Sequence, residues 1–327
     1  MNTDHLRAFV LAVDEGTFDA AADLLQISGS AFSQRIKALE REVGHVLLTR
    51  TVPVRVTESG EKLMRVARQT TLLEDEARRS LGFRGSSAHY SPTITLAIAV
   101  NADSLASWFI RVLQEAATWD DVEIHVHAED QQHTLQLLRS GTVTAAVTED
   151  PTPVSGCRSE PLGVIRYWPV ASTELLDRHR DSSGAVDWQQ VPRIDYSIRD
   201  ATQRTALDRL GLSSAPITHL LPSVQAYNSA VGCGLGWGMI PESMMPDGVL
   251  NCEHPDMVLI PEIGAEEVPL HWQHWSTTTP ALDRLTAAVR HAASRRLPAP
   301  GHTASDHAVP DRTVLDGTAS GDSNLKE

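Results

Sequence analysis

Apolar positions at the start of the chain follow the helical period. Leu6, Phe9, Val10 and Val13 fall on one stripe, and Thr3 or Asp4 is placed to cap it. Thr17 can cap a second short helix through Ala20, Ala21 and Leu24, whose small alanines let another helix cross closely. Ser28 suits the cap of a third helix that buries Phe32, Ile36, Leu39 and Val43 and stops at Gly44, a residue favoured just past a helix end. The other face of that helix offers Ser30, Ser33, Gln34, Lys37 and Arg41. Residues 46–57 read as two short strands around a tip containing Pro53. Three helices and a basic hairpin make a winged helix-turn-helix.

A long helix follows, from Thr57 or Ser59 to about Leu81. Leu63, Val66, Thr70, Leu73, Ala77 and Ser80 form an imperfect heptad seam, which suits either a dimerisation helix or an amphipathic linker. From residue 93 the pattern alternates. Strands are expected at 93–100, 122–128 and 143–148, with helices at about 103–117 and 131–140, a βαβαβ order that argues for a parallel sheet. After a crossover near 164–171, a second unit is expected with strands at about 193–197, 217–221 and 236–240 and helices at about 201–211 and 223–233. Val268–Trp275 is expected to return to the first unit, followed by a helix over about 281–297. The resulting division is a winged helix-turn-helix at 1–57, a linker or dimerisation helix at 58–82 and a hinge linker at 83–92. A two-lobed α/β domain at 93–297 follows, with lobe I at about 93–165 and 270–297 and lobe II at about 166–269. Residues 298–327, rich in Pro, Gly, Ser, Asp and His, are expected to be a disordered tail.

Charge changes the picture only through its distribution. The 327-residue chain carries a net charge of -14, but residues 28–55 hold five basic side chains against two acidic ones. Residues 83–327 hold 17 basic and 30 acidic side chains. Phosphate contact needs only a local basic surface, because salt screens beyond roughly 10 Å. The acidic remainder would favour a cationic ligand, although a solvated acidic surface accounts for most such excesses. Cys157, Cys233 and Cys252 are scattered without a CxxC, and no run of about 18 or more apolar residues suggests a membrane span. The start of the chain lacks the basic-then-apolar pattern of a secretion signal, so a cytoplasmic location is expected.

The segment Ala21–Glu40, then Gly44, Leu47-Leu48, Arg50 and Thr57-Glu58-Ser59-Gly60, resembles the LysR-type transcriptional regulators. Residues 50–58 and Ala99–Trp108 look like the ArgP/LysG-like branch of that family, and Gly234–Pro241 fits the same fold at its later helix-to-strand turn. The resemblance implies an α/β chain with an N-terminal all-α winged helix-turn-helix and a two-lobed, periplasmic-binding-protein-like effector domain. It also implies a homo-oligomeric regulator, an activator in many relatives. Such a regulator senses lysine, arginine or histidine and controls amino-acid export or metabolism genes. Double-stranded DNA, the amino acid and the chain itself (as dimer or tetramer) are then the partners, with RNA polymerase open as a further one. No cofactor is expected. Gly29 stands where relatives often carry Gln, which leaves that base contact open.

On this reading the third helix enters the major groove. Ser28, Ser30, Ser33, Gln34, Arg35 and Lys37 are the candidates for base or phosphate contact, with Arg50, Pro53 and Arg55 on the wing. The alternative is that Arg35 pairs with an acidic neighbour and Ser30 only caps. In the two-lobed domain, ligands bind outside the carboxyl ends of the strands. That rule selects Asn101, Asp103 and Ser104 after the first strand, Glu129 and Asp130 after the second and Glu149 after the third. Ser197, Asp200 and Ser223 lie across the cleft. Asp103 could hold an α-ammonium or simply cap its helix.

Other motifs carry less. The glycines of 232–238 lack the lysine and the strand-then-helix context of a phosphate loop and suit a tight turn. His125 with His127, and His271 with His274, have no acidic or cysteine partner at ligand spacing. Trp272 and Trp275 are expected to pack at the hinge between lobes. No nucleophile–base motif is present, so an enzyme is not expected. The competing reading is a solute-binding or enzymatic α/β protein with an appended helical domain.

Overall fold

The computed structural model describes residues 1–49, 51–81, 93–128, 131–198, 200, 202–209, 211, 217–250, 254–277 and 279–299. The expected hinge linker at 83–92 lies outside them, as does all but the first two residues of the expected tail. The chain opens with α1 (Thr3–Asp14), α2 (Phe18–Leu24) and α3 (Gly29–Val43). Asn2, not Thr3 or Asp4, caps α1, because its side chain reaches the Asp4 N–H at 2.8 Å. Thr17 caps α2 and Ser28 caps α3 as their spacing requires, and Gly44 ends α3 at φ 78°. The three helices bury Leu6, Phe9, Phe32, Ile36 and Leu39, with Phe18 edge-on to Phe32 at 5.2 Å. The wing consists of β1 (Leu48–Thr49) and β2 (Arg55–Val56), paired antiparallel. Glu40 fixes it to α3 by accepting from the Leu47 N–H at 2.9 Å.

Helix α4 (Glu58–Ser80), capped by Thr57, lies along α1. Its inner face buries Gly60, Met64, Ala67 and Thr71, and Arg7 with Glu74 and Asp75, and Arg68 with Asp14, tie the two helices. Val66 and Leu73 of the heptad seam point away from this packing, at 41% and 42% exposure. The same helix docks on the α/β domain. The Arg65 guanidinium donates to the Ser155 carbonyl, and Gly141 fits beneath its backbone where a Cβ would lie 2.7 Å from Arg65 Cα. Glu76, 8% exposed, accepts from the Ala281 N–H at 3.1 Å, and Arg79 meets the Asp121 carboxylate at 2.7 Å.

The α/β domain begins with β3 (Ile94–Val100), α5 (Ala102–Ala106), α6 (Ile110–Ala116), β4 (Val122–Ala128), α7 (Gln131–Ser140) and β5 (Ala145–Thr148). Strand β3 lies between β4 and β5 and is parallel to both, as the βαβαβ pattern predicts. The helix expected over 103–117 is broken at Ser107, where the backbone leaves the helical region. Next come β6 (Cys157–Ser172), α8 (Thr173–Arg178), β7 (Arg193–Asp195), α9 (Thr202–Arg209), β8 (Thr218–Leu220) and α10 (Val224–Gly232). The chain closes with β9 (Gly238–Pro241), β10 (Met257–Leu259), β11 (Glu266–Trp275) and α11 (Pro280–Arg296).

The second unit departs from the expected parallel sheet. Strands β7 and β8 pair in parallel, and Arg193 makes one further parallel bridge to Trp237 just before β9, while β9 and β10 pair antiparallel to the 16-residue β6. Strand β11 runs antiparallel to both β6 and β5, so these two long strands bridge the lobes. Trp272 and Trp275 are not at the hinge. They are fully buried in the core of the first lobe, where Trp272 Nε1 donates to Thr286 on α11 at 3.1 Å.

Candidate functional site

A cleft of about 580 Å³ opens between the lobes, at the carboxyl ends of β3, β4 and β5. That size suits a small molecule, and the position is where open α/β sheets bind their ligands. The first lobe contributes Asn101, Asp103 and Glu149, and β6 contributes Tyr167. The second contributes Tyr196, Ser197, Asp200 and Gln203 around the start of α9, and Tyr227 and Asn228 from α10. Glu266 closes the rim. Asp103, Glu149, Asp200 and Glu266 are the charged side chains among the described lining residues, and none of those residues is Lys, Arg or His.

The carboxylates are held differently. Asp103 does not cap α5; its Oδ2 accepts the Tyr167 hydroxyl at 2.7 Å. Burial pushes its pKa above the ordinary carboxylate value, the Tyr167 bond opposes this, and the Asp200 charge adds to it. Glu149 is raised in the same direction by lost hydration and by Asp200. Tyr167 is pushed well above a normal phenol by burial and by the Asp103 charge, so it stays protonated and keeps donating. Asp200 has both oxygens occupied by backbone N–H groups, of Tyr196 and Thr202, each at 3.0 Å. It is a loop brace that also lends its charge to the cleft.

Of the remaining sequence candidates, Ser104 lies buried beneath the cleft at 0% exposure, and Ser223 is the exposed cap of α10. Glu129 and Asp130 lie outside the described residues. Tyr167, Gln203 and Tyr227 were not singled out by sequence. They are aromatic or amide residues inside ordinary strand and helix patterns, and only the packing of distant segments turns them toward the cleft. Among the described residues no group of three His, Cys, Asp or Glu could hold a metal ion, and no helix is long and apolar enough to cross a membrane.

The second surface is α3. Ser30, Gln34 and Lys37 are exposed along it, Ser33 and Arg35 are half-buried, and Arg55 and Pro53 are exposed on the wing. Among the described residues Arg35, Lys37 and Arg55 form no salt bridge, and Lys37 and Arg55 are exposed. Ser28 has its hydroxyl committed to the Ala31 N–H at 3.2 Å and lies 2.9 Å from the Ser30 hydroxyl. Arg50 lies outside the described residues.

A tri-helical winged domain joined by a long helix to a two-lobed α/β cleft defines a ligand-responsive DNA-binding regulator. Residues 3–61 match the bacterial regulatory helix-turn-helix family of lysR type, and residues 91–294 match the LysR substrate-binding domain. The chain belongs to the LysR family of transcriptional regulators. It is 40% identical, over 90% of its length and 98% of the relative's, to a lysine export transcriptional regulatory protein LysG from Corynebacterium efficiens. It is 34% identical over 86% of its length, and 92% of the relative's, to the transcriptional regulator ArgP of Pseudomonas aeruginosa. Full-length LysG of Corynebacterium glutamicum with bound effector Arg superposes with a TM-score of 0.74 at 37% identity, covering 91% of this chain and 100% of that one. ArgP of Mycobacterium tuberculosis superposes at 0.77 and 37% identity, covering 91% and 99%. These relatives are transcriptional regulators, which sets aside the reading as a solute-binding protein or enzyme.

Proposed function

We propose that the cleft binds a basic amino acid and that its occupancy adjusts transcription of amino-acid export or metabolism genes from the cytoplasm, as an activator. The observation that carries this is the lining itself, in which every charged group among the described residues is a carboxylate. Glu266 already has Arg209 beside it; a lysine or arginine brings one net positive charge to Asp103, Glu149 and Asp200, and a neutral analogue brings none. The relatives named for lysine export, and the one solved with arginine, support the same ligand class. Asn101, Asp103, Glu149, Ser197 and Asp200 are the effector contacts in this reading, with Tyr167 holding Asp103. Residues 1–57 read DNA, 58–82 couple, and 93–297 sense. The outward Val66 and Leu73 seam of α4 pairs one copy with another, so that a ligand favouring one oligomer geometry shifts the population toward it.

Calorimetric titration of the purified protein with lysine, arginine, histidine and neutral amino acids tests the ligand class. Saturable binding confined to basic amino acids is expected. Equal binding of leucine or glutamine would sink it.

On the DNA side, Gln34 is exposed in the first half of α3 and suits a bidentate contact to adenine, worth roughly 1–3 kcal/mol of discrimination. Gln34→Ala should therefore weaken operator binding by about tenfold or more while changing random-DNA binding little. Competition gel shifts measure both, and equal losses on the two DNAs would remove base reading by Gln34.

A further inference from the structure

We propose that Gln203 fixes the orientation of the effector by accepting an N–H from one of its cationic groups through Oε1. This rests on the reading of the cleft as a basic amino-acid site and names a specificity residue within it. Gln203 lies in the first turn of α9, lines the cleft and is 1% exposed. Its Nε2 donates to the Ile194 carbonyl at 2.8 Å and to the Tyr227 hydroxyl at 2.6 Å. Its Oε1 is buried and has no hydrogen-bond partner among the described residues.

The amide cannot turn over. A flipped side chain would set Oε1 against the Ile194 carbonyl oxygen, where two acceptors repel. Tyr227 offers no proton to rescue the flip. Its single hydroxyl proton goes to the Ile194 carbonyl at 3.1 Å, and its lone pairs receive Gln203 and the Met239 N–H at 2.9 Å. A Cβ at position 238 would collide with that hydroxyl, so glycine there keeps the arrangement in place. The acceptor is thus held rigidly by β7, α10 and β9.

A buried acceptor with no partner costs free energy until a donor meets it. The lining carboxylates attract any cation from many directions, but a neutral acceptor at one fixed point rewards only a ligand whose N–H arrives there. A basic amino acid has two donor-only groups, the α-ammonium and the side-chain cation. A ligand lacking the relevant one leaves Oε1 unpaired, which is how hydrogen-bonding sites reject close analogues.

The test uses the full chain and calorimetry with arginine, 5-guanidinopentanoate, which lacks the α-ammonium, and norvaline, which lacks the guanidinium, the last two by competition against arginine if weak. Gln203→Met keeps the volume and removes the acceptor; thermal unfolding and DNA binding report its fold. Arginine affinity is expected to fall about tenfold or more. That loss should vanish for one of the two analogues, which identifies the group held. Gln203→Asn keeps an amide but withdraws the acceptor from its place, without putting a carboxylate oxygen against the Ile194 carbonyl; it should show the same loss for arginine and for only one of the analogues, and it decides the matter if Gln203→Met does not fold. Equal losses for all three ligands, or none for arginine, would overturn the role of Gln203 alone. A parent protein that binds no basic amino acid would overturn the reading of the cleft and this role with it.

Discussion

Asp103→Asn is expected to weaken binding of a basic amino acid by about tenfold to a hundredfold, while barely changing the weak binding of neutral ones. A hydrogen bond involving a charged partner is worth about 1.5–3 kcal/mol, and Asp103 is well placed to offer one. Its Oδ2 is held by Tyr167, which leaves the second oxygen of an oriented, partly dehydrated carboxylate for the ligand. Asn can still accept from Tyr167, so the fold survives and the loss reports on charge. The same site predicts a pH dependence. Because burial and the Asp200 charge raise Asp103 and Glu149 above their ordinary values of 3.8 and 4.5, both carboxyls hold their protons to higher pH in the unliganded cleft than free carboxyls do. A cationic ligand favours the ionised forms, so binding releases protons there, and affinity should rise with pH and then level off. Stability of the empty domain runs the other way. The folded state binds more protons than the unfolded one between the ordinary and the raised values, so stability falls as pH rises through that window. Titrations in buffers of different ionisation enthalpy would show the proton release. A pH-independent affinity and an unaffected Asp103→Asn variant would contradict this account.

The largest stability effect is expected from Phe32→Ala. Phe32 is fully buried in the small core of the three N-terminal helices and packs edge-on against Phe18. Truncating such a side chain costs about 3–5 kcal/mol, a large part of the 5–15 kcal/mol that holds a typical domain together. Operator binding should be lost at moderate temperature, with effector binding retained, because Asp103 and its neighbours belong to a separate core. Calorimetric unfolding with a gel shift would check this. A variant that still binds DNA with an unchanged unfolding midpoint would show that the core is less dependent on Phe32 than its packing indicates.

Where the sequence was readable, the interactions were short-range. Thr17, Ser28 and Thr57 cap helices because a side-chain oxygen reaches an N–H three residues on, and Gly44 ends α3 because only glycine enters the left-handed region without strain. Even so, the first cap fell one position away from the expected pair, at Asn2. The cleft acids Asp103, Glu149 and Asp200 could be picked out because strand ends in α/β folds converge, a rule of topology rather than of contact. Ser104 and Ser223 satisfied the same rule but turn elsewhere, because helix rotation decides which neighbour of a strand end faces the ligand.

The sequence by itself determined the class of the protein, the order α1 to α4 with its wing, the three parallel strands of the first lobe and the basic outer face of α3, since periodicity and caps act within a few residues. Only the tertiary structure decided that β6 continues for 16 residues past Pro161, Gly163 and Pro169, with a register shift between Pro161 and Gly163, because its ladder is completed by β11 about a hundred positions later. Tertiary structure alone also put Trp272 in the core of the first lobe rather than at the hinge and closed the Ile194–Gln203–Tyr227 network. Those positions depend on which distant surfaces bury one another, and burial is a property of the folded chain that no local pattern carries.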